Sequence, residues 1–315
     1  MSEVTLEACG LTKVFGSRAA LDGVSFTVRA GEVVGLLGPN GAGKTTTIRL
    51  LSTVLQPTGG EFSVAGVPST RPAEIRRRIG VLPESMGYPA HQTGAEYLRY
   101  HARLFGAEPD AASEVADDLL SRVGLTARST SRISTYSRGM RQRLGIARAL
   151  VNDPVVVFLD EPTLGLDPAG QREVLDLVRT IAATKGTTVV LSSHTLPEIE
   201  EVCTTVLILD RGRVIASGTV AEVTDTQTVR RSGRLRVPVA EVGRARAVLA
   251  ALPGVTVLAD ERPDVVLLAM ADESAAGPNS VLAAVLDTGI PVLSFEVEGA
   301  RLSDAFLTMT RQVTP

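Results

Sequence analysis

The chain has 315 residues, long enough for one large domain and a smaller companion, and Lys+Arg 32 against Asp+Glu 35 gives a formal charge of -3. With no basic block or acidic tail, nothing advertises electrostatic binding to nucleic acid, and no nucleic-acid partner is expected. Two cysteines, Cys9 and Cys203, are too few and too far apart for a zinc site or disulfide framework, which points to a reducing, cytosolic compartment. The longest apolar runs, such as Val155 to Leu159 and Val206 to Leu209, are strand-sized, so the polypeptide is expected neither to enter nor to span a bilayer alone.

Thr5-Leu6-Glu7-Ala8 and Val24-Ser25-Phe26-Thr27-Val28 alternate polar and apolar residues, the pattern of antiparallel strands with one wet face. Between them lies Phe15, beside a glycine. It is either a platform for an adenine ring or a core phenylalanine, and spacing favours neither.

The apolar run Val33-Val34-Gly35-Leu36-Leu37 is followed by Gly38-Pro39-Asn40-Gly41-Ala42-Gly43-Lys44-Thr45-Thr46 and then by Thr47-Ile48-Arg49-Leu50-Leu51. Strand, glycine-rich loop and helix in that order are the context of a P-loop. Glycines let successive N–H groups curl toward phosphate oxygens, and the helix start adds roughly half a positive charge. Lys44 is expected to reach the outer phosphates and Thr45 to ligate magnesium.

After the turn Gln56 to Gly60, Glu61 to Val64 and Ile79 to Leu82 read as strands, the second ending in Pro83-Glu84 on the side of the P-loop. Arg76-Arg77-Arg78 is a solvated helix face. Thr93 to Leu125 is helical in pattern, and Gly106 and Pro109 divide it into two helices inserted into the sheet-forming sequence. His91 and His101 are expected to be exposed and without chemistry.

Tyr136-Ser137-Arg138-Gly139-Met140-Arg141-Gln142-Arg143 opens a further helix, where a serine and a glycine at the start form a second place to cap an anion. Val155 to Leu159 marks a strand buried on both faces, and Asp160-Glu161 follows at its carboxyl end, where α/β sheets bind ligands. Asp160 suits a magnesium contact, through the ion's water shell or beside Thr45. Glu161, pointing the other way in the pleat, is placed to orient or deprotonate a water. The turn Gly165-Leu166-Asp167-Pro168 leads into an amphipathic helix, Gln171 to Ala183, and Thr188 to Ser192 is another buried strand ending in Ser193-His194. A hairpin around Arg211-Gly212 closes the domain.

From about Gln227 the order is βαββαβ: strands over Leu235 to Val239, Val255 to Leu258, Val265 to Met270 and Pro291 to Val297, helices over Val242 to Leu252 and Ser280 to Leu286, then a last helix over Leu302 to Thr310. This predicts a ferredoxin-like sandwich, a regulatory, dimerising or stabilising appendage without Cys or His for a metal cluster.

Taken in order, the P-loop, Ser137-Arg138-Gly139-Met140, Asp160-Glu161, Asp167 and His194 make residues 4 to 222 resemble an ABC transporter ATPase subunit. Tyr136 to Arg143 and the tail resemble, more narrowly, bacterial drug and ion exporter ATPases of the daunorubicin-resistance type. The resemblance implies an α/β P-loop NTPase fold over 1–224, with a RecA-like core, an antiparallel β subdomain and an inserted helical subdomain at about 86–152. Residues 225–315 then form the small α+β accessory domain. It also implies ATP and Mg2+ as ligands. Phe15 would stack on adenine; Gly38, Asn40, Gly41, Ala42, Gly43, Lys44, Thr45 and Thr46 would hold phosphates; Thr45, Asp160 and Glu84 would hold the metal. Glu161 would be the catalytic carboxylate, His194 would contact the γ-phosphate, and Asp167 joins the nucleotide-binding set. Ser137, Gly139 and Met140 would act in trans, so a head-to-tail homodimer is implied, on a separate integral-membrane permease at the cytoplasmic face of the membrane.

Three positions depart from the commonest family pattern. Glu84 stands where many members place glutamine, adding a negative charge beside phosphates unless a metal or water mediates. Arg138 and Met140 replace the usual Gly and Gln of the signature. Two other classes share this engine. A soluble ATPase acting on nucleic acid or the ribosome would carry two ATPase units or a long coiled coil, and the other class is a P-loop kinase or GTPase, of which a GTPase would carry Asn-Lys-x-Asp; the sequence has none of these features.

Overall fold

The alternating runs near the amino terminus pair into a longer hairpin than their pattern predicts. In the computed structural model, which describes residues 3–225, 230–258, 262–271 and 277–298, strands β1 (Val4–Phe15) and β2 (Arg18–Arg29) are antiparallel, with Leu6 opposite Val28 and Ala8 opposite Phe26. Leu6, Ala8 and Leu11 face the core with Leu21, Val24 and Val28, while Glu7 stays exposed. The chain divides into two compact units, Met1–Val220 and Ala221–Pro315.

In the first unit, β3 (Val33–Leu37) is buried at every residue and runs through the glycine-rich loop into helix α1 (Lys44–Leu51). Strands β4 (Gly59–Val64) and β5 (Val67–Pro68) complete a four-stranded sheet ordered β2-β1-β4-β5. Helix α2 (Pro72–Arg78), with its three arginines exposed, precedes β6 (Ile79–Leu82). The inserted segment forms α3 (Gly94–Leu104) and α4 (Pro109–Arg122), followed by α5 (Arg138–Ala149). Thr93 starts α3 with a capping box to Glu96, and Pro109 is accepted at the first turn of α4, where its missing N–H costs nothing.

His101 departs from expectation. It is half-buried, its ring edge-on to Tyr97 with centroids 4.6 Å apart, and burial, aided by the Arg148 charge, pushes its pKa below the ordinary histidine value. Helical spacing puts Tyr97 and His101 one turn apart on the same face, a pairing that an all-or-none burial guess overlooks.

Strand β7 (Val156–Asp160), helix α6 (Pro168–Lys185), strand β8 (Thr188–Ser193), helix α7 (Leu196–Val202), strands β9 (Thr205–Asp210) and β10 (Arg213–Thr219) and helix α8 (Val220–Asp225) follow. The larger sheet is ordered β10-β9-β3-β8-β7-β6, parallel from β9 through β6 with β10 antiparallel at the edge. Val155, expected in the buried strand, lies outside β7 and is 45% exposed. Leu6, Leu21, Phe62, Ile48, Leu36, Phe158, Val190 and Leu207 belong to one core cluster, so α1 is packed between the two sheets' apolar faces. Burying each such side chain contributes about 1.5–3 kcal/mol, an upper bound because unfolded chains already bury some surface. That packing fixes where α1 begins.

The second unit runs β11 (Arg230–Arg236), α9 (Val242–Ala250), β12 (Val255–Leu258), β13 (Val265–Ala271), α10 (Pro278–Leu286) and β14 (Ser294–Glu298), an antiparallel sheet ordered β12-β13-β11-β14. Leu235, Ala245, Leu249, Val266, Leu268, Val281 and Val285 form its core. The first strand lies further upstream than Leu235 to Val239. Pro238 has no N–H to give a ladder, and Val239 already begins a helical turn. The arginine-rich segment instead pairs on both sides, with β13 and β14. The expected helix Leu302 to Thr310 lies outside the described residues.

Candidate functional site

The glycines of the first loop are required by its shape. Gly38 has φ 154° and Gly43 φ 113°, and a Cβ on Gly38 would fall 2.3 Å from the Leu209 carbonyl oxygen. One on Gly43 would fall 2.5 Å from Leu21 Cδ2. The loop is thereby pressed against β9 and β2, and α1 starts at Lys44 with no side-chain cap, leaving its first-turn N–H groups for an anion. Lys44 is 6% exposed; its Nζ donates to Gly38 O at 2.7 Å and Pro39 O at 3.4 Å and stands 3.7 Å from Glu161 Oε1.

Asp160 closes β7 and is buried. Its Oδ1 accepts from Thr45 Oγ1 at 3.1 Å and from Ser192 Oγ at 2.7 Å, joining three segments of chain at one oxygen. Glu161 lies just past the strand with φ 50°, so the pleat no longer sets its direction; a left-handed turn and the Glu161 N–H to Ser192 Oγ bond at 2.8 Å do. Its carboxylate reaches both neighbours, Lys44 on one oxygen and His194 Nδ1 on the other at 2.8 Å.

These groups line one cleft of about 540 Å³, together with Phe15, Asn40, Gly41, Ala42, Gly43, Thr45, Thr46 and Glu84. Phe15 is 48% exposed, with Lys13 Nζ 5.2 Å from its ring centroid, so it is a surface residue and not a core one. Gly38 and Asp160 stand behind the lining, holding Lys44 and Thr45 from within. Arg18, Ala20 and Leu164 also line the cleft and escaped sequence reasoning. Arg18 had a signal in its place three residues from Phe15; Ala20 and Leu164 had none.

The structure does not bring every expected residue to this cleft. Ser137 caps α5, its Oγ accepting from Met140 N at 3.2 Å, and neither it nor Gly139 nor Met140 lines the cleft. Asp167 is exposed and caps α6 through Gly170 N at 3.1 Å. Arg138 lies flat on the loop between Glu161 and α6. A Cβ on Gly165, which has φ 71°, would fall 2.5 Å from the Arg138 guanidinium carbon.

The donors fit the expected ligands. Thr45 and Asp160 offer hard oxygens to a small divalent cation, which takes few protein ligands when phosphates and waters supply the rest. Among the described residues no group of three or more His, Cys, Asp or Glu could hold a metal by itself.

The family model for the ABC transporter matches residues 21–164. The daunorubicin resistance ATP-binding protein DrrA3 of Streptomyces coeruleorubidus is 37% identical over 98% of this chain and 97% of its own length. The chain belongs to the ABC transporter ATP-binding family. Another member, the daunorubicin/doxorubicin resistance ATP-binding protein DrrA of Streptomyces peucetius, is 39% identical over 97% of this chain and 92% of its own length. Among solved structures, an ATP-binding subunit of an ABC transporter, 33% identical, superposes with a TM-score of 0.64 over 70% of this chain and 92% of its own. This ABC protein is therefore an ATPase with a P-loop α/β fold, and among its described residues no helix is long and apolar enough to cross a membrane.

Proposed function

We propose that this ATPase drives export of a drug-like or antibiotic molecule through a separate integral-membrane permease, bound at the membrane's cytoplasmic face as a homodimer around two ATP. The observation that carries the reading is the Lys44–Glu161–His194 constellation inside a P-loop cleft, in a chain similar over nearly its whole length to two resistance ATP-binding proteins. That full-length similarity favours export over the nucleic-acid reading, which no feature supports.

The mechanism follows from charge placement. Phe15 offers its exposed face to adenine, and the first turn of α1 with Lys44 holds the phosphates. Lys44 exchanges its bonds to Gly38 and Pro39 for phosphate oxygens without leaving the loop. Thr45 and Asp160, with Glu84 at the rim, would hold Mg2+, which would supply positive charge against the charge that develops on the phosphates. The Glu161 carboxylate orients or deprotonates the attacking water, and His194 fixes that carboxylate and faces the γ-phosphate. The Ser137 oxygen is occupied as an acceptor, but its hydroxyl proton is free to donate, so α5 of one copy suits the phosphates held by the other. Asp167 would serve that interface from the start of α6.

We also assign residues 1–224 to the ATP-binding domain, with the helical subdomain at about 86–152, and 225–315 to an accessory domain. The βαββαβ order and the β12-β13-β11-β14 sheet support a ferredoxin-like sandwich for the latter.

Glu161→Gln tests the reading: it should bind ATP and dimerise while turnover falls about 10²- to 10⁴-fold, and normal phosphate release would sink it. In mixed dimers, Lys44→Ala paired with Ser137→Arg should keep one working site; full activity in a Ser137→Arg homodimer would refute the division between copies.

A further inference from the structure

Glu198 is a buried carboxylate with no part in the chemistry above. It lies on α7, 6% exposed, and one oxygen, Oε2, accepts hydrogen bonds from Thr163 Oγ1 at 2.7 Å and Ser193 Oγ at 2.9 Å. The Ser193 hydroxyl oxygen also accepts the Thr195 N–H at 2.9 Å. A charge kept from water is costly unless hydrogen-bonded, and a leucine of similar volume would avoid that cost, so its presence here needs a reason beyond packing.

The reason lies in its two partners. Thr163 follows Glu161 by two residues, and Ser193 directly precedes His194. The parallel ladder between β7 and β8 reaches Asp160 opposite Ser192 as its last pair. The next residues on each strand, Glu161 at φ 50° and the His194 segment, lie past that ladder and still meet at 2.8 Å. Side chains must set the separation that the backbone pairing has ceased to set.

We propose that Glu198 is a positioning residue for the Glu161–His194 pair. Its single oxygen clamps the chain after Glu161 to the chain before His194, so that the two side chains keep hydrogen-bond distance. The clamp acts at the catalytic carboxylate and leaves the adenine and phosphate platforms untouched. The inference rests on the roles proposed above for Glu161 and His194.

Steady-state ATPase of the full-length chain tests it with Glu198→Ala, Glu198→Gln, His194→Ala and the Glu198→Ala/His194→Ala double variant. Glu198→Ala should lower kcat roughly ten-fold or more with the KM for ATP within about two-fold, because only the transition-state contact is lost. Glu198→Gln, which keeps an acceptor oxygen, should recover kcat to within about three-fold. In the His194→Ala background the further loss from Glu198→Ala should be under about two-fold, the non-additivity expected of groups acting as a unit. Equal losses in both backgrounds, or a KM that rises as kcat falls, would overturn the clamp while leaving the catalytic assignment standing. An unchanged kcat in His194→Ala would overturn that assignment and the clamp together. Should Glu198→Ala not fold, Ser193→Ala breaks the same clamp and must show the same dependence on His194.

Discussion

His194 Nδ1 stands 2.8 Å from Glu161 Oε2, although the two residues are 33 apart in the chain. They meet because β7 and β8 are adjacent and parallel, so both strands end on one side of the sheet. Glu161 is 11% exposed and His194 51%, an arrangement in which the inner group is held by the outer one. His194→Ala should leave nucleotide affinity near wild type and reduce kcat by about 10²-fold, the scale of losing one preorganised polar contact. Single-turnover phosphate release beside equilibrium nucleotide titration separates the two effects.

Asp160 binds two hydroxyls on the same oxygen, Thr45 at 3.1 Å and Ser192 at 2.7 Å. Asp160→Asn keeps the shape but removes the charge offered to a divalent ion. The Mg2+ concentration for half-maximal ATPase should rise about ten-fold or more, and chelating the metal with EDTA should abolish turnover in the wild type. A metal titration of the rate checks both.

Gly38 and Gly139 provide a contrast between shape and chemistry. A Cβ on Gly38 meets the Leu209 carbonyl at 2.3 Å with φ at 154°, whereas nothing lies within 4 Å of one on Gly139. Gly38→Ala should therefore destabilise the fold by about 1–3 kcal/mol and lower the thermal midpoint by several degrees. Gly139→Ala should melt like wild type while lowering ATPase. Thermal melts and rates on the same samples decide.

Cys203 supplies a pH signature of the core. Burial pushes its thiol from 9.0 up to about 12, with its sulfur 3.0 Å from where a Cβ on Gly35 would sit. The raised folded value means stability is fully present below pH 9, where both states are protonated, and is lost as pH rises toward 12, because only the unfolded thiol ionises in that window. Between pH 8 and 10 the wild type should lose stability, on the order of 1 kcal/mol, that Cys203→Ala keeps, measured by urea midpoints. The exposed Cys9 should react with a thiol reagent in the native protein while Cys203 does not.

Much of the candidate site was legible in the sequence wherever its lining comes from neighbouring residues. The loop Gly38 to Thr46 and the pair Asp160-Glu161 announce themselves through local backbone chemistry, glycines for φ beyond the reach of other residues and acids at a strand end, whereas the hydroxyl at Ser137 announces an N-cap that lies outside the cleft. The βαββαβ order of the second unit was also legible, because hydrophobic period and turn residues are local. Its first strand was less so, since Arg230, Arg231, Arg234 and Arg236 look solvent-facing until the distant strands β13 and β14 pair on either side.

By itself the sequence displayed a P-loop, because its glycines, lysine and threonines are contiguous residues whose spacing is fixed by the chain, and carried, in the order of its separated motifs, the resemblance to transporter ATPases. Only the tertiary structure decided that Phe15 is exposed at the cleft, that His101 is half-buried, that Arg138 rests on Gly165, and that Glu198 ties Thr163 to Ser193. Each of these depends on how segments far apart in sequence register against one another. That register is set by packing α1 between two sheets and by side-chain bonds beyond the ends of the ladders, terms that no single stretch of sequence contains.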